Sequence, residues 1–120
     1  LKLEKITIIK DYNTCWKSLV KELKKKFKGQ GYERIAEVVN VIQKIESGYK
    51  SPNKWKHIGD SLYEIMPFGH ENKERVFCYK IADEEIYVIV GFDLYKRHKK
   101  IRGDFRKRLI EKGKEYEKRR

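Results

Sequence analysis

Two apolar runs joined by a short polar turn constrain this chain more than any other feature. Arg75-Val76-Phe77-Cys78-Tyr79 and Ile86-Tyr87-Val88-Ile89-Val90-Gly91-Phe92 flank the turn Ala82-Asp83-Glu84-Glu85. β-Branched and aromatic residues fit a pleated, half-buried surface, so the pair reads as a β-hairpin over about residues 74–81 and 85–93. The second run leads into Tyr95-Lys96-Arg97-His98-Lys99-Lys100. Such a hairpin puts positive charge at the rim of a rigid sheet.

The rest of the chain arranges itself around that hairpin. Residues 3–10 alternate apolar and polar side chains and read as a strand. Asp11-Tyr12-Asn13-Thr14 is a turn made of capping residue types. Trp16, Leu19, Val20, Leu23 and Phe27 then recur at helical spacing, with lysines on the other side, predicting an amphipathic helix over about residues 13–28. Gly29-Gln30-Gly31 stops it, and Ile35, Val38, Val39, Ile42 and Ile45 mark a second helix over about residues 32–47. The short glycine-rich link implies an antiparallel helix hairpin. Residues 49–57 read as a polar loop, with Trp55 covering a core edge or offering a stacking face. A strand follows at about residues 60–66, and Pro67 to Asn72 turns into the hairpin. From Arg102 onward Phe105, Leu109 and Ile110 mark a third, strongly basic helix.

The expected class is therefore α+β in a β-α-α-β-β-β-α order, one domain over residues 1–120. A two-helix hairpin packs on one face of an antiparallel sheet, and a basic helix ends the chain. The opposite sheet face is expected to be freer, leaving a groove there for strand ends and C-terminal residues.

Charge narrows the partners. The chain holds 30 Lys/Arg against 18 Asp/Glu, a net charge of +12. Residues 96–120 alone carry thirteen of those cations against four acids. A basic C-terminal quarter on a nearly neutral body suggests a polyanionic partner; the plainer alternative is a solvated, lysine-rich surface. The lysines of the first helix carry the same two readings: a solvated face, or a face that rests on RNA phosphates. Cys15 and Cys78 have no neighbouring Cys or His at ligand spacing and read as buried, reduced thiols, consistent with a cytoplasmic protein. No apolar run reaches the length of a membrane span and no charged-then-apolar leader is visible, so neither membrane insertion nor secretion is expected.

The chemistry-bearing residues are few. There is no metal-ligand constellation, no glycine-rich phosphate loop after a strand and no nucleophile elbow, so no metal or cofactor is expected. What remains is a set of cations, His57, His70 and His98, and one strand carboxylate, Glu64. That inventory suits cleavage of RNA by its own 2′-hydroxyl, which needs a base, an acid for the leaving 5′-oxygen and cations around the transition-state charge. His98 is a candidate acid/base, or an ordinary surface residue in a basic run. Arg75 is a candidate phosphate ligand, or a cross-strand partner for an acid such as Glu64 or Glu84. Glu64 is a candidate base, or the structural partner of Arg75.

These residues carry a resemblance. Ile58-Gly59-Asp60-Ser61-Leu62-Tyr63-Glu64-Ile65, then Arg75-Val76-Phe77-Cys78-Tyr79, then Ile89-Val90-Gly91-Phe92 before a Lys/Arg cluster resemble the RelE superfamily, most of all its HigB-like branch. The resemblance covers about residues 55–115 by motif and the whole chain by element order. It implies the toxin of a toxin–antitoxin pair: a ribosome-associated, metal-independent endoribonuclease that cuts mRNA until a cognate antitoxin protein blocks it. On this resemblance Arg75 matches the arginine that contacts the scissile phosphate, Glu64 the strand glutamate of the branch, and Lys96 and Arg97 the basic residues after the last strand, while His98 lies where some members place a catalytic residue. His98 or Glu64 then transfers the proton, and Lys99, Lys100 and Arg102 join Lys96 and Arg97 as candidate RNA contacts. Many members follow the Glu-apolar pair with Arg; here Met66-Pro67 stands instead. Two alternatives use the same fold without cleavage: a nucleic-acid-binding module, and a degenerate toxin that acts only as a protein-binding partner.

Overall fold

Period-2 and period-3.6 patterns each select a partner surface, and the computed structural model shows which one. It describes residues 4–97 and 101–120; the candidates His98, Lys99 and Lys100 lie outside them. The elements are β1 (Thr7–Ile9), α1 (Cys15–Lys26), α2 (Gly31–Glu46), β2 (Trp55–His57), β3 (Leu62–Ile65), β4 (Arg75–Lys80), β5 (Ile86–Asp93) and α3 (Gly103–Arg119). The α+β class and the expected order hold, with one strand added.

The added strand is β2, which the sequence reading assigned to a loop. It pairs antiparallel with β3, setting Lys56 opposite Glu64 and His57 opposite Tyr63. Three residues are too few for a periodic signal, but Trp55-Lys56-His57 does alternate, and its two rings stack against Tyr63 from either side. The sheet runs β1-β5-β4-β3-β2. It is mixed rather than wholly antiparallel, because β1 pairs parallel with β5. The helix hairpin supplies the crossover that parallel pairing requires. The outer edge of β1 is closed by α2: the Ile6 and Ile8 amides donate to the Glu46 carbonyl and to its side-chain carboxylate.

The helix hairpin covers one sheet face as its stripes demand. Leu19 and Leu23 of α1 meet Val38, Ile42 and Ile45 of α2 over Val76, Cys78 and Ile89. The other face is not free, contrary to the sequence expectation. α3 lies across it, with Leu109 and Phe105 on Phe77, Tyr79, Val88 and Val90. The approach is close because two glycines leave room. A Cβ on Gly113 would lie 2.0 Å from Tyr79 Cγ, and one on Gly91 2.5 Å from Leu109 Cδ2. A bulge at Phe77/Cys78 brings Gly91, one residue out of step, opposite Phe77. The tail of α3 fastens the β4–β5 turn, with Glu117 accepting from the Ala82 amide and Arg120 paired to Glu84.

Thr14 precedes α1 as a capping residue type but does not cap. Its φ is 59°, and its side chain makes no cap hydrogen bond. Among the described residues no helix is long and apolar enough to cross a membrane.

Candidate functional site

α3 covers only part of its face, and the uncovered end of the sheet is where polar side chains gather. Strand alternation sends Leu62 and Phe77 under α3 and puts Glu64, the cross-strand partner of Phe77, on the same face. Arg75 precedes Phe77 by two residues and so also lies on that face. The result is an open groove of about 740 Å³ with Trp55 and Met66 among its apolar lining and Asn53, Lys56, Glu64, His70 and Arg75 as its polar groups.

Glu64 and Arg75 form the centre. Arg75 Nε lies 3.8 Å from Glu64 Oε2, and both side chains are largely buried. Burial pushes the Glu64 carboxyl above its ordinary value, while Arg75 and, less strongly, Lys56 pull it back. A carboxyl raised in this way is a stronger base than an exposed glutamate.

Arg75 is also built into the turn that precedes it. Its Nη1 donates to the carbonyls of Asn72 (2.5 Å) and Glu74 (2.8 Å), and its Nη2 to the carbonyl of His70 (2.9 Å). The guanidinium thus organises the 70–75 turn while facing the groove. His70 is held in place: its amide and its Nδ1 both meet Asn53 Oδ1, at 3.0 and 2.5 Å. Glu84, the other acid weighed as a partner for Arg75, is at the far end of the sheet on Arg120.

The basic residues after β5 take a different side. Arg75 and Asp93 are register partners, so the 93–97 segment starts beside the groove. Asp93 Oδ1 then accepts from the Tyr95 and Arg97 amides and turns the chain back. Arg97 lines a separate hollow with Ser18 and Glu22 of α1, and its guanidinium lies over Tyr95. Lys96 is exposed, with a φ of 54°. Lys26 fixes this segment from beneath, reaching both the buried Glu74 carboxylate and the Leu94 carbonyl. Arg102 is exposed at the start of α3. The structure therefore joins Glu64 to Arg75 but sets Arg97 on the α1 side instead of over their groove.

Sequence reasoning missed Lys56 and Asn53, and it named His70 without giving it a role. Lys56 is the informative omission. Met66 and Pro67, at the positions where the resembling family often carries Arg, are buried. A cation nevertheless reaches Glu64, from the neighbouring strand. The alternation of Trp55-Lys56-His57 was the only signal for it. His57 bonds through Nε2 to the Asp60 carbonyl at 2.7 Å, away from the groove. Trp55 covers the core edge, with Tyr87 edge-on at 5.2 Å, the plainer of its two sequence readings.

Among the described residues no group of three or more His, Cys, Asp or Glu side chains is arranged to hold a metal ion. No protein-family model, no curated protein and no solved structure matches this chain.

Proposed function

We propose that this chain is a RelE-like toxin of a toxin–antitoxin pair, a metal-independent endoribonuclease that cuts mRNA at the ribosome. One observation carries the reading: a desolvated glutamate, Glu64, lies between two cations, Arg75 and Lys56, in an open groove at the end of a rigid sheet. A base beside cations is what internal transesterification needs. Glu64 takes the proton of the RNA 2′-hydroxyl, and the freed oxygen attacks the adjacent phosphorus. Arg75 and Lys56 stabilise the charge on the phosphate oxygens. The bond to the 5′-oxygen breaks, and an acid, read from sequence as His98, supplies its proton. The products are a 2′,3′-cyclic phosphate and a free 5′-hydroxyl. A cognate antitoxin would act by covering this groove.

A specific observation favours a second reading, a nucleic-acid-binding module without cleavage. The Arg75 fork is engaged by three backbone carbonyls and by Glu64, which leaves it little freedom to wrap a phosphate.

Induced expression separates the two. The toxin reading expects growth arrest and cuts in translated mRNA whose fragments carry cyclic phosphate ends. Glu64→Gln and His98→Ala are expected to lower cleavage at least a hundredfold while leaving the protein folded. Arg75→Ala is a poorer probe because Arg75 also holds its turn. Absence of cuts with and without ribosomes, alongside retained RNA binding, selects the binding module.

A further inference from the structure

The outer face of α1 takes no part in the groove, yet its residues are arranged in one line. At 100° per residue Lys17, Lys21 and Lys24 fall within a narrow arc, opposite the buried Leu19 and Leu23. Lys28 follows in the turn just past the helix and is exposed. Successive members stand about one turn, roughly 5.4 Å, apart. The single acid of α1, Glu22, points elsewhere and lies 3.8 Å from Lys25. Among the described residues none of Lys17, Lys21, Lys24 and Lys28 has a carboxylate partner.

An aromatic ring completes the line. Tyr32 is 76% exposed, the most exposed large hydrophobic side chain described. Lys24 Nζ lies 5.0 Å from its ring centroid. The helix link holds the two together, since Gly31 sits so close that an added Cβ would be 3.1 Å from the Lys24 Cα. At the other side of α1, Arg97 shares a hollow with Ser18 and Glu22 and extends the basic surface toward the sheet end.

We infer that the α1 lysine line with Tyr32 is a binding surface for single-stranded RNA, separate from the Glu64–Arg75 groove. Evenly spaced, unpaired cations follow a phosphate backbone, and an exposed ring beside them offers a face on which a base stacks. A lipid surface fits less well. A membrane-lying helix sinks an apolar face into the bilayer, but the apolar face of α1 is already spent on the core. The choice of RNA rests on the proposed function; the surface itself does not require cleavage.

The test uses the full chain and a fluorescent, fully 2′-O-methylated single-stranded RNA, which its own 2′-hydroxyl cannot cleave. Binding is titrated over a range of salt concentrations. The triple variant Lys17→Gln/Lys21→Gln/Lys24→Gln is expected to lower the slope of log affinity against log salt by about two, near 0.7 per lost phosphate contact. Tyr32→Ala is expected to weaken binding about tenfold with the slope unchanged. Lys112→Gln/Lys114→Gln/Lys118→Gln removes the same charge from α3 and is expected to leave the slope as it is. Three results overturn the inference: an unchanged slope in the α1 variant, an equal loss in the α3 variant, or wild-type binding to phosphatidylserine vesicles or an acidic peptide in preference to the RNA. Intact binding without any mRNA cleavage would sink the proposed enzyme and leave this surface standing.

Discussion

The cations of the sheet end and those of α1 are of opposite kinds. Arg75 donates to three carbonyls of its own turn and is ion-paired with the Glu64 carboxylate. Among the described residues Lys17, Lys21 and Lys28 stand exposed without a carboxylate partner, and Lys24 lies beside the Tyr32 ring. The first kind is structural before it is anything else, because its charge organises the 70–75 turn and is paired to a largely buried carboxylate. The second kind adds little to the fold and is available to a polyanion. The difference separates residues that hold a site together from residues that can meet a ligand, although sequence shows both only as Lys or Arg.

Removing each kind gives the largest contrast. Arg75→Ala removes three hydrogen bonds to the carbonyls of its turn and takes from the largely buried Glu64 its ion-pair partner. It is expected to cost about 3 kcal/mol, the low end for a broken buried pair because water still reaches the groove. The triple glutamine variant of Lys17, Lys21 and Lys24 is expected to stay within about 0.5 kcal/mol of wild type. Urea denaturation measures both. Equal costs would erase the distinction.

That distinction was only partly legible in sequence. The helix stripes were, because Leu19, Leu23, Val38, Ile42 and Ile45 repeat at a period that only a helix can bury on one side. The β4–β5 hairpin was, because its runs are long and rich in β-branched residues. β2 was not, since three residues carry too little pattern and its pairing partner lies beyond the Gly59-Asp60 turn. The parallel pairing of β1 was not, because partner choice depends on where the helix hairpin delivers the chain. The seat of α3 was hidden too. Gly113 reads locally as a weak point in a helix, and only the Tyr79 ring against it explains its presence. Of the site, Glu64 and Arg75 were visible as residue types. Lys56 was not visible, because it belongs to the missed strand. The turn carbonyls that hold Arg75 are backbone groups, on which side-chain patterns are silent.

The Glu64–Arg75 pair makes a smaller, pH-dependent prediction. Burial raises the Glu64 carboxyl above its ordinary value despite Arg75, so the folded state holds this proton more tightly than the unfolded chain does. Between the unfolded value, about 4.3, and the raised folded value, the native state binds more protons at this site, and the contribution of Glu64 to stability falls as pH rises. Glu64→Gln is expected to flatten that decline and to gain on the order of 1 kcal/mol or less at neutral pH. Denaturation midpoints taken across the acid range check it. A stability of wild type relative to Glu64→Gln that instead rises through this window would mean that Arg75 dominates and that Glu64 is an ordinary ion-pair partner, unsuited to act as a base.

The smallest effect sharpens the comparison from the α1 side. Thr14 begins that helix at a φ of 59°, a left-handed conformation that costs a β-branched residue on the order of 1–2 kcal/mol, and its hydroxyl makes no compensating cap bond. Glycine adopts the same conformation without strain but gives back part of the gain through a more flexible unfolded chain. Thr14→Gly is therefore expected to raise stability by about 0.5 kcal/mol, read as a small upward shift in the urea midpoint. It should leave the salt dependence of RNA binding unchanged, because it touches neither the lysine line nor Tyr32. A change in that slope would mean that the entry turn sets the lie of α1 and, with it, the spacing of the cations. The lysines would then belong with Arg75, as residues whose geometry the fold has to enforce.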